Sequence, residues 1–465
     1  MAFASVTFAQ VKQQLALKVN DATKTFYTDL ELGIAWQDAM RLWNCLTGDN
    51  RVNYALAVSS ALGYGEGGYG EGGYGGGTGT GGVWYDLNMI SDSPRIANVT
   101  DFQIYQKVQL MLIEGSNPLT LNTTQFTPAD ISLAVQLKRD EFLMRTGCTR
   151  TVHPIEVLPS EPTIQMPEVI IEAPRAYWLP SAPDGVPNPL QKTDEFTTTG
   201  YLNPSGFTDA AEPITFSAGV EVPLTATLYP PPENVGTVEF VTVDSQGLLP
   251  ALALGVPTPT TLLMLPDFTP AIMWGALGYL LSISVEAQDE ARAAYANSRF
   301  EQFLELTKVY PFVMTARNQN VGMYADAVEV LDSYSPQWRV TSAIPQVIGM
   351  AGQNLVAVPT SIDQTITLYM TASANIPVND TDLVQLPREI MDSLLDAAQV
   401  QLVWKCGGAE FEAAQPLLKS ILSLAVVRNQ IVKSLSIYRD TMRLTAQRES
   451  KIEGESSRST EEVYQ

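Results

Sequence analysis

Apolar positions along the opening stretch of the chain recur at steps of three and four. Thr7 with Gln10 makes a capping-box pattern, and Phe8, Val11, Leu15 and Val19 follow at helical spacing. A second box, Thr28 with Glu31, opens a helix whose Leu32, Ala35, Ala39, Leu42 and Leu46 form one stripe. Trp36 and Trp43 widen it, and Gly48 suits a C-terminal stop. Helical spacing returns from Asp101 to Glu114. It returns again after Thr127-Pro128, a cap with proline at the first helical position, with Ile131, Val135 and Phe142 on one face and Thr146-Gly147 at the end.

Beyond Thr151 the period changes. Runs such as "EVIIEAPRAYWLP", "VPLTATLYPPP" and "GTVEFVTVDS" alternate and are separated by proline, which reads as short antiparallel strands. A helical hairpin follows from Thr269-Pro270, with Met273, Ala276, Leu280 and Ile283 on one stripe and Ala293, Ala296, Phe300 and Phe303 on its partner. After a second β-rich stretch, Met391, Leu395, Ala398 and Leu402 oppose Phe411, Ala414, Leu418, Ile421 and Ala425 across a break at Gly407-Gly408. A plan therefore recurs. Thr227-Leu228-Tyr229, Leu265-Pro266 and a hairpin are followed by Thr367-Leu368-Tyr369, Leu386-Pro387 and a hairpin.

The pattern predicts an α+β fold in which helical hairpins combine with two antiparallel, sandwich-like β modules. The expected organisation is a helical region over 1–150, a β module over 151–266, a hairpin over 267–309, a second β module over 310–385, a second hairpin over 386–440 and a flexible tail over 441–465. Within the first region, Gly63 to Gly82 repeats a Gly-Tyr-Gly-Glu-Gly unit, and glycine at that density predicts a flexible surface loop. Its GxGxxG matches lack the strand-then-helix context of a nucleotide site, whereas its tyrosines suit contact with a partner.

Length and an apolar content of 45% allow several cored domains and exclude global disorder. With 50 acidic against 28 basic side chains, the net charge of −22 argues against tight phosphate contacts with nucleic acid. No signal peptide is expected from "MAFASVTFAQVKQQL", and the apolar run Ala271 to Val285 is too short to span a bilayer. Cys45, Cys148 and Cys406 have no metal-ligand spacing and read as reduced, buried thiols.

Candidate chemistry is sparse. His153 is the sole histidine and lacks an activating motif, so a structural role is expected. Asp194-Glu195 and Asp380/Asp382 read as exposed acidic loops, and "DTDL" lacks the glycine and distal glutamate of an EF-hand. No metal or cofactor is expected, and neither is enzymatic activity. The tryptophans, including Trp36, Trp43, Trp274 and Trp404, read as core.

Four segments carry a resemblance: "FAQVKQQLALKVNDATKTFYTDLELGIAWQDAMRLWNCLTGD", "LKRDEFLMRTG", "YPPPENVGTVEFVTV" and "MWGALGYLLS…DEARAAYANSRFEQFLEL". They resemble neck proteins of the head-to-tail connector of tailed bacteriophages, the ring adaptors beneath the portal. The resemblance implies a virion structural protein assembled in the host cytoplasm into a homo-oligomeric ring of about twelve copies. Its implied partners are the portal protein, downstream tail or neck proteins with fibres among them, and genomic DNA in transit through the channel. It further implies that helices at 7–48, 268–307 and 387–440 form the ring body, and that residues 433–465 clamp the portal. Tyr438, Arg439, Met442, Arg443, Arg448 and Tyr464 are the portal-docking positions. Leu32, Trp36, Leu42, Trp43, Met273, Leu280, Phe300, Met391, Leu395, Leu402, Phe411 and Leu418 are the helix-packing positions. The alternatives are a fibre, collar or baseplate protein with glycan- or partner-binding β modules, and a carbohydrate-active enzyme.

Overall fold

A computed structural model describes residues 3–58, 83–94, 99–112, 126–181, 187–194, 210–219, 224–245, 261–262, 264–283, 289–309, 313–317, 322–334, 338, 346–359 and 364–428. The Gly-rich stretch 63–82 and the tail from 429 onward, with all six portal-docking positions, lie outside the described residues. The helices are α1 (Phe8–Lys18), α2 (Asp29–Thr47), α3 (Asp101–Met111), α4 (Pro128–Thr146), α5 (Thr269–Ile283), α6 (Glu290–Val309), α7 (Val328–Tyr334), α8 (Arg388–Cys406), α9 (Gly408–Ala414) and a last one, α10, over 418–428. The chain divides into two compact units, residues 1–47 with 377–465, and residues 48–376.

The first unit is a helical bundle tied at its base by a two-stranded ribbon. β1 (Phe3–Thr7) runs antiparallel to β16 (Leu383–Pro387), from Phe3 opposite Pro387 to Thr7 opposite Leu383. Thr7 ends the strand and caps α1, where its hydroxyl accepts from Gln10 N–H while the Gln10 side chain accepts from Thr7 N–H. The Glu31 carboxylate likewise reaches back to the Thr28 amide and hydroxyl, both at 2.8 Å, and pairs with Lys405 of α8, so its burial leaves no charge uncompensated. Leu32, Trp36, Leu42 and Trp43 of α2 are buried, as are Met391, Leu395 and Leu402 of α8, which packs on α2. Phe411 is buried too, whereas Leu418 is half-buried. Gly407 and Gly408 both take positive φ, which turns the chain sharply between α8 and α9. The loop from α1 to α2 is held by Asp21, whose carboxylate accepts backbone N–H bonds from Thr25, Phe26 and Tyr27.

The second unit holds a helical bundle and two seven-stranded sheets. In α5 nearly every side chain is buried, as its uniformly apolar sequence demands. Among the described residues no helix is long and apolar enough to cross a membrane. Gly275 and Gly278 let α6 approach closely: a Cβ on Gly275 would lie 2.9 Å from the Phe300 ring, and one on Gly278 would overlap the Asn297 side chain. Met273, Leu280 and Phe300 are buried there.

One sheet comprises β4 (Thr151–Val157), β5 (Thr163–Gln165), β6 (Ile170–Pro180), β7 (Asn188–Thr193), β8 (Thr215–Ala218), β9 (Thr225–Tyr229) and β10 (Gly236–Asp244), in the order β4-β10-β6-β7-β8-β9-β5. Its inward side chains form one cluster drawing on every strand, from Val157 and Ile164 at its ends to Trp178, Phe216, Leu228 and Phe240 between. The sheet is therefore a nearly closed barrel, not a sandwich. The other sheet comprises β2 (Arg51–Val58), β3 (Val83–Asp86), β11 (Val313–Arg317), β12 (Gly322–Ala327), β13 (Val347–Ala351), β14 (Leu355–Val358) and β15 (Gln364–Thr371), in the order β2-β15-β11-β12-β13-β14-β3. Neither is purely antiparallel, since β7 with β8 and β12 with β13 run parallel.

The two sheets have the same topology, strand for strand and direction for direction. Matching their ladders register by register places inward side chain on inward side chain: Leu56 on Ile155, Val58 on Val157, Tyr85 on Ile164, Ala316 on Ala176, Val356 on Ala226, Ile366 on Val238 and Leu368 on Phe240. The helices ahead of each barrel match too. Val6-Thr7, Gln10 and Gln13 of α1 correspond to Val99-Thr100, Gln103 and Gln106 at α3, with the same capping box. Residues 27–58 lie on 126–157 without a gap, with Thr28 on Thr127, Ala35 on Ala134, Gln37 on Gln136, Thr47 on Thr146, Arg51 on Arg150, and Gly48 on Gly147, both at positive φ. After each barrel come Leu265-Pro266 and α5, or Leu386-Pro387 and α8. Within each bundle three helices pack pairwise, α1, α2 and α8 in the outer copy and α3, α4 and α5 in the inner.

The chain is thus a bundle-and-barrel module duplicated with nesting. An inner copy runs from Val99 to Val309, inserted between β3 and β11 of the outer copy. This corrects two expectations. The region 1–150 is not wholly helical, because β2 and β3 belong to the outer barrel. Thr367–Tyr369 of β15 corresponds to residues 239–241 of β10, so the Thr-Leu-Tyr match with β9 is fortuitous.

Two outcomes follow. Gly278→Val pries α5 from α6 and lowers stability by about 1 to 3 kcal/mol, read as a drop in urea midpoint. The backbone bonds from Tyr27, Thr25 and Phe26 hold the Asp21 carboxyl down at about 2, against its ordinary 3.8. Asp21 therefore stabilises the fold above pH 3.8, and that contribution fades as pH falls toward 2. Asp21→Asn lowers stability at neutral pH and flattens the acid limb of a urea-midpoint-against-pH curve.

Candidate functional site: the junction of the two barrels

The barrels meet through an apolar cluster made from the outward faces of both. The outer barrel contributes Trp84 of β3, Leu355 and Ala357 of β14, Val328 and Leu331 of α7, and Trp338. The inner barrel contributes Val152 of β4, Tyr177 of β6 and Val241 of β10. The Trp84 ring stands edge-on to Trp338 at 5.6 Å and to Tyr177 at 6.0 Å, separations at which aromatic pairs add to simple burial.

Local sequence explains why these strands bury both faces. In "VWYD" at 83–86, Val83 and Tyr85 point into the outer barrel and Trp84 points out to the junction. In "LVAV" at 355–358, Val356 and Val358 point in, and Leu355 and Ala357 point out. Such unbroken apolar runs mark strands covered on two sides.

One carboxylate organises the polar edge of the junction. Asp332 on α7 accepts from Trp338 Nε1 at 3.1 Å and the Tyr177 hydroxyl at 3.0 Å, and pairs with Arg175 of β6, which also meets Glu329 at 2.7 Å. Burial alone would lower the affinity of the Arg175 guanidinium for its proton. The Tyr177 hydroxyl and the two carboxylates outweigh that and hold it above its ordinary value.

A second set of bonds stitches the β13–β14 turn to the chain entering β4. Gln353 N–H donates to Cys148 O at 2.6 Å, and Arg150 N–H donates to Asn354 Oδ1 at 2.8 Å. The Asn354 amide in turn donates to Arg150 O at 2.9 Å and to Asp86 at 3.1 Å. Gly352 has φ +63°, and a Cβ there would lie 2.6 Å from Cys148 O, so the turn needs glycine for both conformation and approach. Burial pushes the Asp86 carboxyl up, against the bonds it accepts from Asn88 and Asn354, and pushes the Cys148 thiol up.

The residues singled out for chemistry stand apart from this junction. His153 Nε2 lies 2.8 Å from Asp244 Oδ2, and Thr242 donates to the other oxygen at 2.7 Å. In the repeat His153 corresponds to Tyr54, whose hydroxyl donates to Asp92 at 2.9 Å, so both copies use a ring capped by a carboxylate at this position. Asp382 closes a turn by accepting from Val378 and Asn379 N–H, and Asp380 pairs with Lys12 at 2.5 Å. Asp194 follows β7, and Glu195 lies outside the described residues. Cys45 and Cys148 are buried, but Cys406 is exposed, its sulfur 3.1 Å from the Tyr27 hydroxyl, which corrects the expectation for that thiol. Among the described residues no group of three or more His, Cys, Asp or Glu is placed to hold a metal ion. The tryptophans, including Trp36, Trp43, Trp274 and Trp404, are core residues.

In comparisons with known proteins, no family model matches the chain and no curated protein matches it.

Truncating Asp332 to alanine leaves Arg175, Tyr177 and Trp338 short of a partner at a largely buried edge, and lowers stability by roughly 3 kcal/mol. Trp84→Ala costs about 3 to 5 kcal/mol through the cavity it opens. Urea titration followed by near-ultraviolet circular dichroism checks both.

Proposed function

We propose that this chain is a virion structural protein, a subunit of an oligomeric neck ring that joins the portal vertex to the tail and forms part of the DNA channel. The observation that carries the reading is the duplicated bundle-and-barrel module, whose two barrels already associate within one chain through an apolar junction. Repetition of a cored unit with a built contact surface is the economy of an assembling protein. Two further features support it. A net charge of −22 suits a channel wall that DNA must pass without being held. The four resembling segments fall on α1–α2, α4, β9–β10 and α5–α6, so they mark both copies of the module. On this reading the C-terminal positions Tyr438 to Tyr464 dock the portal.

Negative-stain electron microscopy of the purified full-length chain, alone and mixed with a portal ring, tests the reading. Closed rings, formed alone or on the portal, are the expected result. Monomers or trimers that ignore the portal overturn it, and trimers point to a fibre or baseplate component.

A further inference from the structure

The barrel junction is heterologous: two homologous barrels touch through different faces. The outer barrel offers its β13-β14-β3 face, and the inner barrel offers its β4-β10-β6 face. Each barrel therefore keeps the face its counterpart uses. On the outer barrel this is β2 and β15, and on the inner barrel it is β9 and β5, beside β8, whose outward Thr215 and Ser217 are buried. Like units joined head to tail form rings when the rotation closes and filaments when it does not, because every contact leaves one donor face and one acceptor face unused.

We propose that neighbouring chains join by repeating this junction, the β5–β9 face of one copy's inner barrel against the β2–β15 face of the next copy's outer barrel. The inference rests on the ring reading and adds the surface and the stoichiometry: a ring built this way holds twice as many barrels as chains.

The side chains of the two faces suit such a contact. On β2 and β15 the outward positions are Asn53, Ala55, Ala57, Thr365 and Thr367, all exposed, with Arg51 and Tyr369 half-buried and Thr371 buried at one end. On β5 and β9 they are Thr163 and Gln165, exposed, with Thr225, Thr227 and Tyr229 half-buried. None is acidic. In a chain carrying −22 this is what self-association requires, since a carboxylate on either face would add repulsion between copies. Small alanines and threonines leave both surfaces flat, and their polarity keeps the unassembled chain soluble, unlike the tryptophan-filled junction that never separates.

Register identifies which residues meet. Trp84 and Val152 belong to the cluster within the chain, and their counterparts are Thr163 and Asn53. Between chains, Thr163 of one copy therefore comes close to Asn53 of the next.

The experiment uses full-length protein. Thr227→Glu and Ala55→Glu each place a carboxylate on one face, at outward positions that leave circular dichroism and the melting curve unchanged. Each is expected to convert rings to monomers in sedimentation velocity. In a Cys406→Ser background, mixed Thr163→Cys and Asn53→Cys chains are expected to crosslink with a short bismaleimide, while each alone does not. Rings that persist in both glutamate variants without the mixed crosslink overturn the inference and leave the ring reading standing. Crosslinked filaments support the contact and overturn the ring. Wild-type chains that remain monomeric with and without a portal overturn both.

Discussion

The edge-to-face packing of Trp84 with Trp338 and Tyr177, closed at its edge by Asp332, is the contact on which the second unit depends. Without it the inner module would be an insertion tethered to the outer barrel by two crossings of the chain. With it, two barrels share an apolar interface of buried side chains like those of a domain core. The polar groups at its edge converge on one carboxylate: the indole nitrogen of Trp338, the Tyr177 hydroxyl and the Arg175 guanidinium all reach Asp332. A buried charge is tolerable in that setting because its lone pairs are taken up.

Nesting explains a division of labour between the copies. The inner copy is continuous, so its β4 and β5 are joined by a short connection and its barrel core is contributed by one stretch of sequence. The outer copy is split, and its barrel forms only when β2 and β3 meet strands that follow the whole inner module. Pairings at such separation are costly in chain entropy, and the full-length ladder between β2 and β15, from Arg51 opposite Thr371 to Val58 opposite Gln364, supplies the compensating bonds and burial. The inner copy can serve as the template on which the outer barrel closes.

Divergence between the copies falls where their surroundings differ. Inward positions stay apolar in both barrels apart from His153, which stands where the outer barrel has Tyr54, because each must fill a core. Outward positions changed character: Val152 and Val241 at the junction stand where the outer barrel has Asn53 and Tyr369, and Trp84 and Leu355 stand where the inner barrel has Thr163 and Thr225. One face is covered by the other barrel, and its counterpart carries polar side chains.

The sequence by itself determined the helices and most of their buried faces. Capping boxes at Thr7, Thr28 and Thr127 and stripes such as Leu32, Trp36 and Trp43 are local signals, set by hydrogen bonds and side chains a turn apart. It also held the sign of the charge and the alternation that marks strands. The junction was legible only in part: "VWYD" and "LVAV" announce strands buried on both faces, but not what covers the second face. Which strands pair, that β2 and β3 leave the helical region to join β11 to β15, and that the repeat is nested were decided by tertiary structure alone. The matching residues from Thr28 and Thr127 onward were present in the sequence, yet their meaning depended on strand register, which is fixed by contacts between residues hundreds of positions apart. Local physics writes the elements; closure of the barrels, where a distant strand must satisfy an open edge and cover an apolar face, selects the fold.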